Sequence, residues 1–227
     1  MILTKAFGAA VLLTISAFSL AQDKVKIEPK WDKDLKLKMK TNASFEISGI
    51  AATIDAVTTW SSAVDKDSYT VTVHHDEFKV VANDMEQPAP VTDYKVTYDQ
   101  KSSITKFEGG VEGTDALRMF LIGNFYAPSD ELTKDTVAKW DIAKNEKTTL
   151  GALKIETIFL GDEKVGKNML HKFKQVVKET GTEYTTTGTF FVNNSGQVLK
   201  SNVTFAGLPI PVAGGDAAGK FTATLVE

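Results

Sequence analysis

Along most of this chain apolar and polar residues take turns, and that habit excludes most helical folds. In Asp34-Leu35-Lys36-Leu37-Lys38-Met39-Lys40 the alternation is strict. Successive strand side chains point to opposite faces, so Leu35, Leu37 and Met39 share a buried face while the lysines meet water. Phe45 to Val64 continues in Ile, Thr, Val and Ala, with Gly49 as a bend or bulge. Ser68 to Val73, Phe78 to Val81, Asp93 to Tyr98 and Ile104 to Phe107 read as further strands. Between them Gln87-Pro88-Ala89-Pro90 is a loop and Glu108-Gly109-Gly110 a turn. Leu153 to Phe159 is a strand ending at Gly161. Thr185 to Val192 turns at Asn193-Asn194-Ser195-Gly196 into Gln197 to Phe205, the strongest hairpin signal present. Leu208 to Gly219 reads as an irregular loop, and Phe221 to Val226 as a last strand.

The alternation breaks at Thr114 to Gly123. Thr114 suits a helix cap, Asp115 a first turn and Gly123 an end, while only Arg118 is polar between Ala116 and Ile122. A helix apolar on nearly every side has to be buried on nearly every side, so its place is against the concave face of a sheet. In residues 164–178 the apolar residues recur at helical spacing, so periodicity alone favours an amphipathic helix; the same residues also fit a strand, and the surrounding strands favour that narrowly. A weak echo links Lys30-Trp31-Asp32 with Lys139-Trp140-Asp141, two halves that suit one large curved sheet.

Residues 1–21 read as a cleavable export signal. Lys5 supplies positive charge, Ala6 to Leu20 an apolar stretch, and Ser19-Leu20-Ala21 the small residues a signal peptidase needs, with cleavage after Ala21. That stretch is short for a membrane span, which takes about 20 residues. No stop-transfer segment follows, so the expectation is no transmembrane segment and a periplasmic or secreted protein whose residues 22–227 form one domain. The chain contains no cysteine. Packing alone therefore has to hold the fold, although disulfides form readily outside the cytoplasm.

A formal net charge of −3 argues against a nucleic-acid binder. Arg118 is the lone arginine, so the surface is poorly equipped for bidentate anion recognition. The lysines at 36, 38 and 40 could touch anionic headgroups, but neighbouring acids dilute them. A solvated outer face that discourages edge pairing explains them better.

The order of elements, with Gly161-Asp162-Glu163-Lys164-Val165-Gly166, Gly188-Thr189-Phe190-Phe191-Val192 and Gly196-Gln197-Val198-Leu199-Lys200-Ser201, resembles exported bacterial proteins similar to the lipoprotein-localisation carriers and mycobacterial lipid-carrier lipoproteins. That resemblance implies an antiparallel sheet curled into an open half-barrel with helices in its mouth. It covers most of residues 22–227 in pattern only and transfers no functional residue. A lipid-anchoring cysteine is missing, which resembles the soluble carriers.

Catalytic signals are sparse. His74-His75-Asp76-Glu77 places His74 with Asp76 and His75 with Glu77, two ligands per face where zinc takes three or four, unless His171 joins them. Ser103-Ile104-Thr105-Lys106 has the serine–lysine spacing of penicillin-binding enzymes, but on a strand those two side chains face apart. No nucleophile elbow, zincin or phosphate-loop motif occurs. The expectation is a non-enzyme with no metal and no cofactor: a mainly β half-barrel, with its apolar helix on the concave face, that carries or binds a lipid or other apolar ligand. Leu117, Phe120 and Leu121 are the candidate plug or lid, and Trp60, Trp140 and Phe125 the candidate walls. The alternative is an envelope protein–protein interaction module with a fully packed interior.

Overall fold

The computed structural model describes residues 23–226 other than 31, 32, 34, 89 and 100–102. The expected export signal and the Trp31 half of the sequence echo lie outside these residues.

Two antiparallel meanders make one sheet. The first runs β2 (Lys36–Ile47), β3 (Ile50–Val64), β4 (Ser68–Ala82), the short β5 (Met85–Gln87), β6 (Val91–Asp99) and β7 (Ile104–Val111). The second runs β9 (Val137–Ile142), β10 (Leu153–Val165), β11 (Asn168–Glu179), β12 (Thr185–Val192), β13 (Val198–Ile210) and β14 (Gly215–Leu225). They join where β14 pairs with β2, from Ala217↔Ile47 to Leu225↔Met39. The order is β7-β6-β4-β3-β2-β14-β13-β12-β11-β10-β9, with β5 paired to β4 alone, and the sheet is not closed into a barrel. A separate ribbon pairs β1 (Lys24–Val25) with β8 (Leu132–Thr133).

Between the meanders sits α1, Ala116–Leu121, which Asp115 caps by accepting the Arg118 N–H at 3.0 Å. The expected cap, Thr114, instead donates its hydroxyl to the Val111 carbonyl. This helix proves that the sheet is curled. Its Phe120 ring lies 5.9 Å from Phe107 on β7, while its Arg118 bonds Glu179 on β11. Those strands are eight places apart in the sheet, about 38 Å if flat at the usual strand spacing. A six-residue helix is only about 9 Å long. Only a sheet wrapped around α1 lets it touch both.

Several sequence expectations change at bulges and turns. Gly49 is a hairpin turn and not a bend: Ser48 and Gly49 have φ of 51° and 83°, and Ile47 pairs directly with Ile50. Positive φ at both positions matches the twist of two-residue hairpins. The two segments around His74–Glu77 are one strand, β4, because Asp76 bulges out between His75↔Thr58 and Glu77↔Val57. The expected turn at Gly109-Gly110 is also a bulge inside β7, with φ of 87° and 115°. A bulge at Leu160, next to Gly161 (φ 103°), lets β10 continue to Val165. Leu208 to Ile210 is strand and not loop, since Gly207 (φ 65°) absorbs the irregularity and buries Leu208 and Ile210 again. Only a short 3-10 turn, Pro211–Ala213, precedes β14. Residues 168–179 are a strand, as their surroundings favoured.

The strict alternation of β2 holds: Lys36, Lys38 and Lys40 are exposed while Met39 is 5% exposed. The solvated outer face holds with it, but the added role in edge protection fails, because β2 lies in the middle of the sheet and has no free edge. The main core gathers Phe159, Phe173 and Phe190 of the second meander with Phe125, Ile122 and the N-terminal Val25 and Ile27. A second cluster packs Val71, Val73 and Tyr94 of the first meander against Phe120 and Trp60.

Candidate functional site

Between these two clusters the interior is not filled. A small apolar pocket of about 100 Å³ is walled by Leu37, Met39, Trp60, Phe120, Phe125 and Phe221. It shares Tyr98, Asn124, Phe125 and Gly196 with a wider cleft of about 620 Å³, so the two spaces adjoin and together form the hollow. Strand alternation builds the walls: Leu37 and Met39 of β2, Trp60 of β3 and Phe221 of β14 all take inward positions. Gly123, directly after the helix, matters because a Cβ there would stand 2.6 Å from the Phe221 ring.

The cleft lies between the two free sheet edges. Its far wall is the β9–β10 connection, residues 143–152, whose Asn145 amide donates to the Ile104 carbonyl on β7 at 2.5 Å. Two buried polar clamps fix the helix and the segment after it. Arg118 donates from Nε and Nη2 to the Glu179 carboxylate at 2.8 and 2.6 Å and from Nη2 to the Thr149 carbonyl at 3.1 Å. Its Nη1 pairs with Asp115. Gln175, 1% exposed, accepts the Tyr126 N–H at 3.0 Å and donates to the Tyr126 carbonyl at 2.8 Å. Burial pushes the Glu179 carboxyl up, but Arg118 and the Gly151 N–H more than offset this and leave it below the ordinary carboxylate range.

The expected ligand residues divide. Phe120, Trp60 and Phe125 line the apolar pocket, and Leu121 and Phe125 the wider cleft. Trp60 and Phe120 stack with ring centroids 5.7 Å apart. Leu117 is buried without lining either space, and Trp140 packs in a separate cluster with Leu153, Ile155 and Val177. Sequence reasoning missed Tyr98, which lines both spaces and stacks on Tyr69 at 4.8 Å, and Leu37, Met39 and Phe221. The period-2 pattern already placed Leu37 and Met39 on an inward face, and that signal could have found them.

The titratable groups here are poorly suited to proton transfer. Burial pushes the Tyr94 phenol up to about 12, and burial, with neighbouring Tyr69 and Tyr126, raises Tyr98 further. His74 faces outward to Asp93 at 3.0 Å and lies 3.9 Å from Asp76, the pair its spacing predicts. His75 turns away from Glu77 to pack on Phe78 and Tyr94, where burial lowers its pKa. His171 lies on β11 with Asp162 and Asn194. Among the described residues no group of three or more metal-ligating side chains assembles. Nothing in the hollow points to catalysis. No described helix is long and apolar enough to cross a membrane.

The fold and hollow define an open, mainly β half-barrel wrapped around a short helix. No family model matches the chain, and no curated protein matches it in sequence. Among solved structures, a DUF1329 family protein from Desulfovibrio piger is similar at 10% identity over 86% of this chain and 87% of that one, with a TM-score of 0.23. A likeness that low carries no argument, and none of the comparisons supports the resemblance to lipoprotein carriers.

Proposed function

We propose that this protein is an exported, non-catalytic binder or carrier of a lipid or other apolar ligand in the cell envelope, periplasmic or secreted after cleavage at Ala21. The observation that carries this reading is the pair of adjoining spaces, apolar at the inner end and open between the sheet edges. The inner pocket, at about 100 Å³, is smaller than the roughly 150 Å³ cavity that accepts benzene in an engineered protein core. It takes the end of a chain, not a whole lipid. The adjoining cleft of about 620 Å³ falls within the roughly 300–1,000 Å³ usual for small-molecule sites. Each buried methylene contributes about 0.8 kcal/mol, so a chain spanning both spaces gains a large driving force. Phe120 and Leu121 act as the lid, and Trp60 and Phe125 as the wall.

The smallness of the inner pocket also favours a second reading, in which α1 and its rings complete an ordinary core and the molecule works through its surface. Native mass spectrometry and solvent extraction of the protein purified from its own envelope separate the two. A co-purifying lipid or fatty acid is the expected result. A clean apo mass, together with no uptake of dodecanoate, would leave the packed module.

A further inference from the structure

The lysines of β2 are part of a larger pattern on the outer face. Following direct cross-strand partners from β2 to β11, one row reads Lys40, Thr224, Lys200, Phe191, Lys172. The next reads Asn42, Thr222, Asn202, Thr189, Lys174. The third sets Lys220 among the hydroxyls of Ser44, Thr204 and Thr187 and ends at Val176. These three rows of five hold five lysines and no carboxylate, on a chain whose net charge is −3. Acids appear only at the borders, where Asp55 accepts from the Asn42 amide at 2.7 Å and Glu163 holds Lys172 at 2.7 Å. Among the described residues Lys40, Lys174, Lys200 and Lys220 form no ion pair. The ammonium groups of Lys172 and Lys200 lie 5.5 and 5.1 Å from the Phe191 ring centre and cover it.

The field is also hollowed. A depression of about 360 Å³ is lined by Lys174, Thr187, Thr189, Asn202, Thr204 and Lys220. Gly188, Val203 and Phe221 also reach it, so its lining is largely apolar, with hydroxyl and amide groups that both donate and accept set among it and one lysine at each side. Edge protection does not account for this arrangement, since β2, β14, β13 and β12 are all interior strands.

We propose that this face binds an anionic polysaccharide, with carboxylate or other acid groups meeting the lysines and sugar hydroxyls meeting the threonine and asparagine rows. In the first row the lysines are two strands apart, roughly 10 Å, a spacing that suits acid groups recurring along an extended chain. Docking surfaces for bilayers insert aromatic or aliphatic side chains between headgroups. Here Val176 is the sole aliphatic residue of the three rows and Phe191 is shielded, so a polymer rich in hydroxyls fits better than a membrane. The proposal is independent of what fills the interior.

Titration calorimetry of the full chain with polygalacturonate oligomers tests it, with neutral dextran and phosphatidylglycerol vesicles as comparisons. Saturable binding to polygalacturonate that weakens with salt is expected, with little binding to dextran. The double variant Lys174→Gln/Lys220→Gln should bind about thirtyfold more weakly, at about 1 kcal/mol per lysine. Lys79→Gln/Lys106→Gln, on the other meander, should bind as the parent does. Circular dichroism melts of both variants should match the parent, since all four side chains are exposed. No binding, equal loss in the two variants, equal binding of dextran, or tighter binding to the vesicles would overturn the proposal.

Discussion

Replacing Arg118 by methionine removes the guanidinium and keeps an unbranched stem of similar length. The Arg118 and Glu179 side chains are 8% and 1% exposed, so the variant leaves Glu179 buried with the Gly151 N–H as its main remaining donor. Stranding one member of a buried ion pair costs roughly 3–5 kcal/mol. At about 2–4 °C per kcal/mol for a domain of this size, the Tm falls by roughly 10 °C. The pH dependence identifies the cause. Glu179 sits below its ordinary range in the parent, so its contribution is present above the unfolded value, about 4.3, and is lost as pH falls through the lower folded value. In the variant the stranded carboxyl is pushed up instead, so acidification removes its penalty. The stability gap between parent and Arg118→Met should therefore be widest near neutral pH and narrow as pH falls. Thermal melts near neutral pH measure the first quantity, and urea unfolding between pH 4 and 7.5 measures the second, both followed by circular dichroism. The double variant Arg118→Met/Glu179→Leu should recover at least half of the loss, because an apolar pair needs no partner. A single variant within about 1 kcal/mol of the parent, a gap independent of pH, or a double variant worse than the single would refute the reasoning.

Three further outcomes follow from the packing. Phe120→Ala should lose about 2–3 kcal/mol, less than a fully buried ring, while taking up more dodecanoate; a stability loss with unchanged uptake would make Phe120 ordinary core. Gly109→Ala should be destabilised by more than about 2 kcal/mol, since the new Cβ would lie 1.8 Å from the Asp93 carbonyl oxygen at a φ of +87°, and a mild effect in urea unfolding would argue against the bulge. Ser48→Asn should gain about 0.5 kcal/mol, because Asn-Gly is the preferred pair where both turn residues have positive φ; a loss in the same assay would count against that hairpin.

Local periodicity made the strands and the helix legible. Lys36 to Met39 announced both faces of β2, and the apolar run from Ala116 to Ile122 announced a helix that needed covering. Long-range pairing was not legible. That β2 meets β14 depends on chain ends far apart in sequence, and this one pairing turns an apparent edge strand into the middle of the sheet. Bulges hid continuity: one extra residue at Asp76 or Leu160 breaks the period-2 pattern without breaking the strand. Arg118 looked like a lone polar residue on an apolar helix because Glu179 lies 61 residues away. Of the six expected ligand residues, four reach the hollow, since aromatic and aliphatic identity alone cannot tell Trp60 from Trp140.

The most direct measurement uses Trp60 as a reporter at the inner end of the hollow. The variant Trp31→Phe/Trp140→Phe leaves it as the sole indole of the three in the chain, stacked on Phe120. Titration with dodecanoate below its micelle concentration should give a saturable change in Trp60 emission, blocked by Leu37→Arg, which fills the pocket wall with charge. Emission that stays constant through the titration, in a protein that melts as the parent does, would contradict a sheet curled around a space built for an apolar ligand.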